Sequence, residues 1–319
     1  MIRFGIVGTN FVSEWFLEAC QRSGGRVVPV AVCSRDAGRA RSFAAQHGLE
    51  AGFDDLGDML GIVDAVYIAS PTYAHHAQAM TVIRAKRHVL VEKTMTKTAE
   101  ETADILQAAS NRGVVAMEAA RHLHTPAYGA LVAALARIGA PRYARFEKQQ
   151  YSSRYDRFRS GIHVNAFDPR LGNSAIADLG VYCLEPAIDM FGSPRRTSGS
   201  SVRLANGFEA AGSLQLDYAT MLVDVVYSKI ASGVGPSVIL GEDGSLSVDD
   251  IAEPSRVLLH RRGAEPEVLF DSAPVTPAAT MHHELISFAD QVETGFANPR
   301  WAHLSLAARR LMDEHLARQ

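Results

Sequence analysis

The sequence predicts an α/β protein in two parts: a doubly wound parallel sheet over residues 1–120, then an α+β part over 121–319 on a mostly antiparallel sheet. Three observations carry this. Short apolar runs alternate with helix-length amphipathic stretches through the first part, as strands and covering helices do in parallel sheets. Ile2 to Val7, a turn at Gly8, a helix and the run Val27 to Cys33 make one strand–helix–strand unit. After Ser200, six strand-like runs follow one another with turns and no helix between them.

Composition narrows the function classes. With 319 residues, 47% hydrophobic and 21% charged, the chain can bury a large core and is long enough to split in two. A net charge of −3 with both signs interspersed leaves no basic field for a nucleic acid backbone. Cys20, Cys33 and Cys183 are far apart and odd in number, so neither a disulfide framework nor a zinc pattern follows, and a reducing cytoplasm is expected. The first apolar run is too short for a signal peptide, and no run of about 18 apolar residues suggests a membrane span.

In order, Ile2 to Val7 reads as the first strand, and Gly8-Thr9-Asn10-Phe11-Val12-Ser13 as the turn that opens a helix through Arg22. Backbone N–H groups at such a helix start can hold a pyrophosphate, so Gly8, Thr9, Asn10, Phe11 and Val12 are candidate cofactor residues. Asn10 stands where a second glycine is usual, and Ser13 where a third small residue is. Val27 to Cys33 is the second strand. A dinucleotide without a 2′-phosphate wants an acid at its end, but the chain has Ser34-Arg35, with Arg39 a helical turn on. Ser34, Arg35 and Arg39 favour NADP over NAD; the alternative is that the arginines merely open a solvated helix.

Ala40 to Gln46 complete that helix. Ala65 to Ser70 form the next strand, and Ser70, Pro71 and Thr72 at its carboxyl end are placed to line the cofactor. His75 and His76 begin the following helix beside it. Neighbouring helical positions point apart, which argues against zinc. The buried run Val89-Leu90-Val91 ends in Glu92-Lys93, and ligands in such sheets lie beyond the strands' carboxyl ends. Lys93 is therefore the leading catalytic candidate and a cofactor or substrate contact, with Glu92 keeping it placed; a structural ion pair is the alternative. Thr96 to Arg112 read as a helix and Val114 to Met117 as a strand before Glu118.

In the second part, Tyr128 to Ile138 read as a helix and Tyr143 to Tyr151 as a strand with one wet or partner-facing side. Arg154-Tyr155-Asp156-Arg157-Phe158-Arg159 is a polar, aromatic loop with donors for a hydroxylated substrate, against the reading of an ordinary surface loop. Asp178 and Tyr182, four apart, share one helix face, and Gly172-Asn173-Ser174 offers a turn and cap to start that helix. The strand-like runs are Ser201–Leu204, Ala210–Asp217, Met221–Tyr227, Ser237–Leu240, Ser245–Val248 and Val257–His260. Helices Met281 to Glu293 and Leu304 to Arg318 close the chain.

Several of these pieces resemble one family. Gly5-Ile6-Val7-Gly8-Thr9, Ala69-Ser70-Pro71-Thr72, His88-Val89-Leu90-Val91-Glu92-Lys93, Glu118-Ala119 and Ala175-Ile176-Ala177-Asp178-Leu179-Gly180-Val181-Tyr182-Cys183 come in the order of the Gfo/Idh/MocA oxidoreductases. The tyrosine form of the last motif, with Gln150 to Tyr155 before it, is similar to the branch of dimeric dihydrodiol dehydrogenase and glucose–fructose oxidoreductase. Two departures stand out: Glu92-Lys93-Thr94 replaces Glu-Lys-Pro, and Asn10 and Ser13 replace small residues of the glycine motif. Neither removes a chemical group. The resemblance implies a Rossmann domain, a large open sheet whose outer face pairs subunits into a homodimer or homotetramer, and catalysis shared by Lys93, Asp178 and Tyr182. Arg121, Arg154 and Tyr155 join Lys93, Asp178 and Tyr182 as expected substrate contacts.

Hydride transfer from an alcohol carbon requires removal of the hydroxyl proton. A phenol with a pKa near ~10 is a weak base at neutral pH unless an ammonium such as Lys93 favours its anion. Whether Tyr182 or Asp178 takes the proton stays open, and no metal is required. The expectation is an NAD(P)-dependent dehydrogenase acting on a secondary alcohol of a sugar, polyol or cyclic diol. The rivals are an NAD-dependent glycosidase of the same fold, a catalytically silent nucleotide-binding regulator, and a plain interaction module.

Overall fold

The apolar runs of the first part become one sheet. In chain order the elements are β1 (Ile2–Val7), α1 (Phe11–Gln21), β2 (Val27–Cys33), α2 (Ala37–His47), β3 (Ala51–Phe53), α3 (Leu56–Met59), β4 (Ala65–Ile68), α4 (His75–Arg84), β5 (His88–Glu92), α5 (Ala99–Arg112) and β6 (Ala116–Ala119). A computed structural model supplies this architecture and describes residues 1–273 and 276–318. The six strands pair in parallel in the order β3-β2-β1-β4-β5-β6. Val89, Leu90 and Val91 are fully buried, because helices cover both faces of such a sheet and leave no wet side to alternate with. The order reverses between β1 and β4, the point at which open α/β sheets take their ligands, beyond the carboxyl ends of the strands.

The following chain forms α6 (Pro126–Ala134), β7 (Pro141–Gln149), α7 (Tyr155–Arg159), α8 (Val181–Phe191), then β8 (Arg196–Arg203), β9 (Glu209–Asp217), β10 (Leu222–Ser228), β11 (Ser237–Gly241), β12 (Ser245–Val248), β13 (Arg256–His260) and β14 (Glu267–Asp271). These eight strands make one sheet, β14-β13-β12-β11-β7-β10-β9-β8. Only the β7–β10 pair is parallel. Ala144, Phe146, Leu214, Leu216, Val223, Val225 and Ile239 are buried on its inner face. The helical stretch around Asp178 and α8 packs against this sheet.

The chain closes with α9 (Pro277–Thr294) and α10 (Pro299–Ala317). Contacts divide the chain into Met1–Arg121 with Thr276–Leu306, and His122–Val275 with Ala307–Gln319. The sequence expectation kept everything after 120 together. Thr276–Leu306 instead packs with the first unit: α9 lies along α1, and Met281, Leu285, Phe288 and Ala289 share a core with Phe4 and Phe16. The periodicity of α9 reveals its apolar face but carries no information on which sheet that face covers. No described helix is long and apolar enough to cross a membrane.

Candidate functional site: a dinucleotide turn and a lysine-paired aspartate

The turn after β1 explains its own departures from a glycine motif. Gly8 has φ +115°, and a Cβ there would lie 2.9 Å from the Ala69 carbonyl oxygen, so only glycine fits. Asn10 caps α1, its Oδ1 accepting from Val12 N at 2.9 Å and Ser13 N at 3.3 Å, while its Nδ2 donates to Ala69 O at 2.8 Å. Ser13 is fully buried and donates from Oγ to Gly8 O at 3.0 Å. The two unexpected residues therefore hold the turn shut and tie it to the end of β4. Val12, an expected cofactor contact, gives its N–H to Asn10. The tight approach at Gly8 leaves the backbone of the turn uncovered at the start of α1, where such folds hold a pyrophosphate.

Beyond β2, Ser34 is half-buried while Arg35 and Arg39 are exposed. Arg35 Nη1 lies 3.5 Å from the Tyr73 hydroxyl. Asp36 is the acid closest in sequence, but it caps α2 and accepts from Arg39 N at 2.9 Å, a bond that holds its carboxyl below the ordinary range. After β4, Ser70 Oγ donates to Gln78 Oε1 at 2.6 Å, and Pro71 and Thr72 lead into a short helical turn. His75 is buried, with Nε2 2.7 Å from Ser70 O and Nδ1 3.2 Å from Met95 O. Burial lowers its pKa, and the two carbonyls partly offset this. The ring thus ties the segment after β4 to the one after β5. His76 turns elsewhere: its Nε2 is 2.9 Å from Asp104 Oδ2 on α5.

Lys93 follows β5 and is half-buried, and the Lys93–Thr94 peptide is cis. Its backbone N–H donates to Glu92 Oε2 at 3.1 Å. Glu92 also accepts from the hydroxyl of Tyr67, a fully buried ring stacked on Phe16 at 4.1 Å. Burial pushes the Glu92 carboxyl up, opposed by the Tyr67 hydroxyl, Lys93 and Arg121. Glu118, near the end of β6, accepts from Met95 N at 2.6 Å and fixes the loop after the lysine. Arg121, expected at the substrate, donates from Nη1 to Thr280 Oγ1 at 2.6 Å, where it also opposes the charge of Glu284. Glu284 on α9 is a buried carboxyl that no sequence signal singled out; its Oε2 has no hydrogen-bond partner among the described residues. Burial drives its pKa well up, with Glu92 adding to the effect.

In the second unit, Asp178 lies in a π-helical turn, Ile176–Gly180, that runs into α8. Such wide single turns recur at functional sites. Ser174 starts it, its Oγ accepting from Ala177 N at 3.3 Å and its carbonyl from Asp178 N at 3.1 Å. Gly180 lets the turn lie close to β10: a Cβ there would stand 2.8 Å from Ile176 Cγ1 and 3.2 Å from Tyr227 Cδ1. Tyr182 is buried, with the His122 ring edge-on at 5.0 Å. His122 Nε2 is 3.4 Å from Glu185 Oε2, both side chains almost wholly buried. No signal in the sequence singles out this His122–Glu185 pair beside Tyr182, or Lys229. Lys229 Nζ is 2.7 Å from Asp178 Oδ2. Tyr155, expected at the substrate, packs its ring on Phe158 and Phe167. Arg154 is exposed at the start of α7. Among the described residues, no group of three His, Cys, Asp or Glu side chains is placed to hold a metal ion.

A six-stranded parallel sheet with this turn at its switch point defines a Rossmann-type dinucleotide-binding fold. Residues 2–120 match a family model described as oxidoreductase family, NAD-binding Rossmann fold. The chain is 38% identical over 295 residues to scyllo-inositol 2-dehydrogenase (NADP(+)) of Bacillus subtilis, covering 92% of this chain and 89% of that one. It is 30% identical over 226 residues to trans-1,2-dihydrobenzene-1,2-diol dehydrogenase of Macaca fuscata fuscata, covering 68% and 65%. The structure of a 3-ketoreductase from Actinomadura kijaniata, solved with NADP and TDP-benzene, shares the fold with a TM-score of 0.83, 22% identity and coverage of 98% and 96%. The chain belongs to the Gfo/Idh/MocA family of NAD(P)-binding oxidoreductases, as its motif order implied.

Proposed function

We propose that this enzyme is an NADP-preferring dehydrogenase that oxidises a secondary hydroxyl of a polyol, sugar or cyclic diol, or reduces the matching ketone. The observation that carries the substrate class is the Asp178 carboxylate: it is ion-paired with Lys229, 42% of its side chain is exposed, and it stands four residues before Tyr182 on one helical stretch. A carboxylate held this way suits a second hydroxyl beside the reacting one. The relationship to an inositol dehydrogenase and to a dihydrodiol dehydrogenase supports the same class.

Bound nicotinamide supplies the hydride acceptor. Lys93 donates a hydrogen bond to the developing alkoxide, Tyr182 and Asp178 provide the proton acceptor and the hydroxyl anchor, and Glu92 keeps the Lys93 backbone in place. Support for NADP comes from the end of β2. The nearby acid, Asp36, is committed to capping α2, while Ser34 and Arg35 stand where a ribose-binding acid would be. The NADP(+) dependence of the Bacillus subtilis relative agrees. Three buried free cysteines fit a reducing cytoplasm.

Incubation with NADP+ and a panel of inositols, aldoses and cyclic diols, followed by nicotinamide absorbance, tests this reading. A stoichiometric rise with at least one polyol is expected. Release of sugar from a glycoside without net absorbance change would replace the dehydrogenase by a cofactor-recycling glycosidase. Arg35→Ala should raise KM for NADP+ about tenfold or more while changing that for NAD+ less than about threefold. Equal losses would remove the NADP preference.

A further inference from the structure

Lys229 is a buried ammonium with a single-sided outlet. It follows β10, where its N–H donates to Ala210 O at 2.8 Å and Ser228 Oγ accepts from Ile230 N at 3.2 Å and Ala231 N at 2.9 Å. The chain therefore leaves the strand in a fixed turn. Its Nζ lies 5.3 Å from the Phe167 ring centroid and 5.8 Å from that of Phe208, with Ala166 O at 3.4 Å. Phe167 and Phe208 are fully buried and belong to one aromatic cluster with Val164, Ala210, Tyr155 and Phe158. A cation taken out of water is costly unless it is paired, and aromatic faces replace only part of the lost hydration. Asp178 is the partner, at 2.7 Å.

The pair is lopsided: 9% of the Lys229 side chain is exposed against 42% of that of Asp178. A pair that served packing alone would have no need to leave one member open. The cation is held against the aromatic cluster, and the anion is the more exposed member, on the helical stretch that carries Tyr182.

We propose that Lys229 is a positioning residue that anchors Asp178 as a hydroxyl acceptor for substrate, so that Asp178 orients the substrate while Tyr182 takes the proton. This rests on the dehydrogenase reading above and decides a division of labour that reading leaves open. In the oxidation, the alcohol carbon gives a hydride to nicotinamide and the reacting hydroxyl gives its proton to the Tyr182 phenolate. A ketone, reduced nicotinamide and a neutral phenol result. The neighbouring hydroxyl donates to Asp178 throughout and is not consumed. An anchor of that kind acts equally before and at the transition state, so its loss appears in KM rather than kcat.

The experiment compares Lys229→Met, Asp178→Asn and the double variant on the polyol that wild type oxidises best and on cyclohexanol, which lacks a second hydroxyl. Lys229→Met should raise KM for the polyol about tenfold or more, with kcat within about threefold and cyclohexanol kinetics unchanged. Asp178→Asn should raise the polyol KM at least as far. The double variant should be no worse than the poorer single one, because both remove one interaction. Losses that multiply, or equal effects on polyol and cyclohexanol, would overturn the anchor. If Lys229→Met does not fold, Asp178→Asn decides alone: a fall in kcat of about a hundredfold at unchanged KM would make Asp178 the base and end the proposal. Wild type that oxidises no polyol defeats the functional reading itself, whereas turnover with multiplying losses defeats only the role of Lys229.

Discussion

At the scale of single residues, charges in each unit are held by specific partners, near and far in sequence. Lys93 emerges where a strand ends, with its backbone N–H on Glu92 and Glu92 on Tyr67. Lys93→Ala should lower kcat about a hundredfold or more and leave NADPH affinity, read by fluorescence titration, within a few-fold. Retained turnover would remove Lys93 from the chemistry. Glu284 on α9 shows what burial costs. Its folded pKa is raised well above the ordinary carboxylate range, so the folded protein holds this proton more tightly than the unfolded chain does. The stabilisation from that proton is complete below about pH 4.3 and is lost as pH rises toward the folded value. Glutamine has a similar shape and does not titrate. The melting temperature of Glu284→Gln should therefore gain on wild type as pH rises from about 5 to about 8. A difference that stays flat with pH would show that the carboxyl is not held protonated.

At the scale of elements, the turn after β1 separates what the sequence discloses from what it does not. Gly8 and the strand–helix–strand unit were legible because a positive φ and a buried parallel strand each leave a residue-type signature. The roles of Asn10 and Ser13 were not, since both act through carbonyls, and one of those belongs to Ala69, 59 residues away. Asn10→Ala removes the cap and the tie to β4, and should destabilise the protein by about 1–2 kcal/mol in chemical denaturation and weaken NADPH binding with it. Stability within a few tenths of wild type would mean that the cap is replaced by water. Elements that sequence reading missed share a physical cause. β3 has three residues, too few to show alternation, and its Gly52 is dictated by Ala40, whose backbone C and O would lie 2.4 Å from any Cβ there. β14 is half exposed and reads as Glu-Val-Leu-Phe-Asp, with no clean period of two. Lys229 looked like any residue after a strand; its importance arises from Phe167, Phe208 and Asp178, all remote in the chain.

At the scale of the whole molecule, the large sheet of the second unit poses a question that its strand pattern already raised. The register places Tyr143, Arg145 and Glu147 of β7 beside Leu222, Asp224 and Val226 of β10, with Val238 and Leu240 of β11 opposite Arg145 and Tyr143. Residues between them, such as Ala144, Phe146, Val223, Val225 and Ile239, are buried inward, so this set forms the outer face. Leu222 and Leu240 are 38% and 39% exposed there, while Tyr143 pairs with Asp224 at 2.8 Å and Arg145 with Glu147 at 3.0 Å. A face that mixes aliphatic side chains with internally satisfied charges resembles a subunit interface more than a solvated sheet, where lysines and unpaired charges are usual. The enzyme should accordingly sediment as a dimer or tetramer. Leu222→Glu combined with Leu240→Glu puts two carboxylates into each copy of that face and should shift the protein to monomer while nicotinamide binding survives, because the dinucleotide turn lies in the other unit. Analytical ultracentrifugation reads both results, and a wild type that sediments as a monomer, or a double variant that keeps its assembly, would show that this face meets water rather than a second copy.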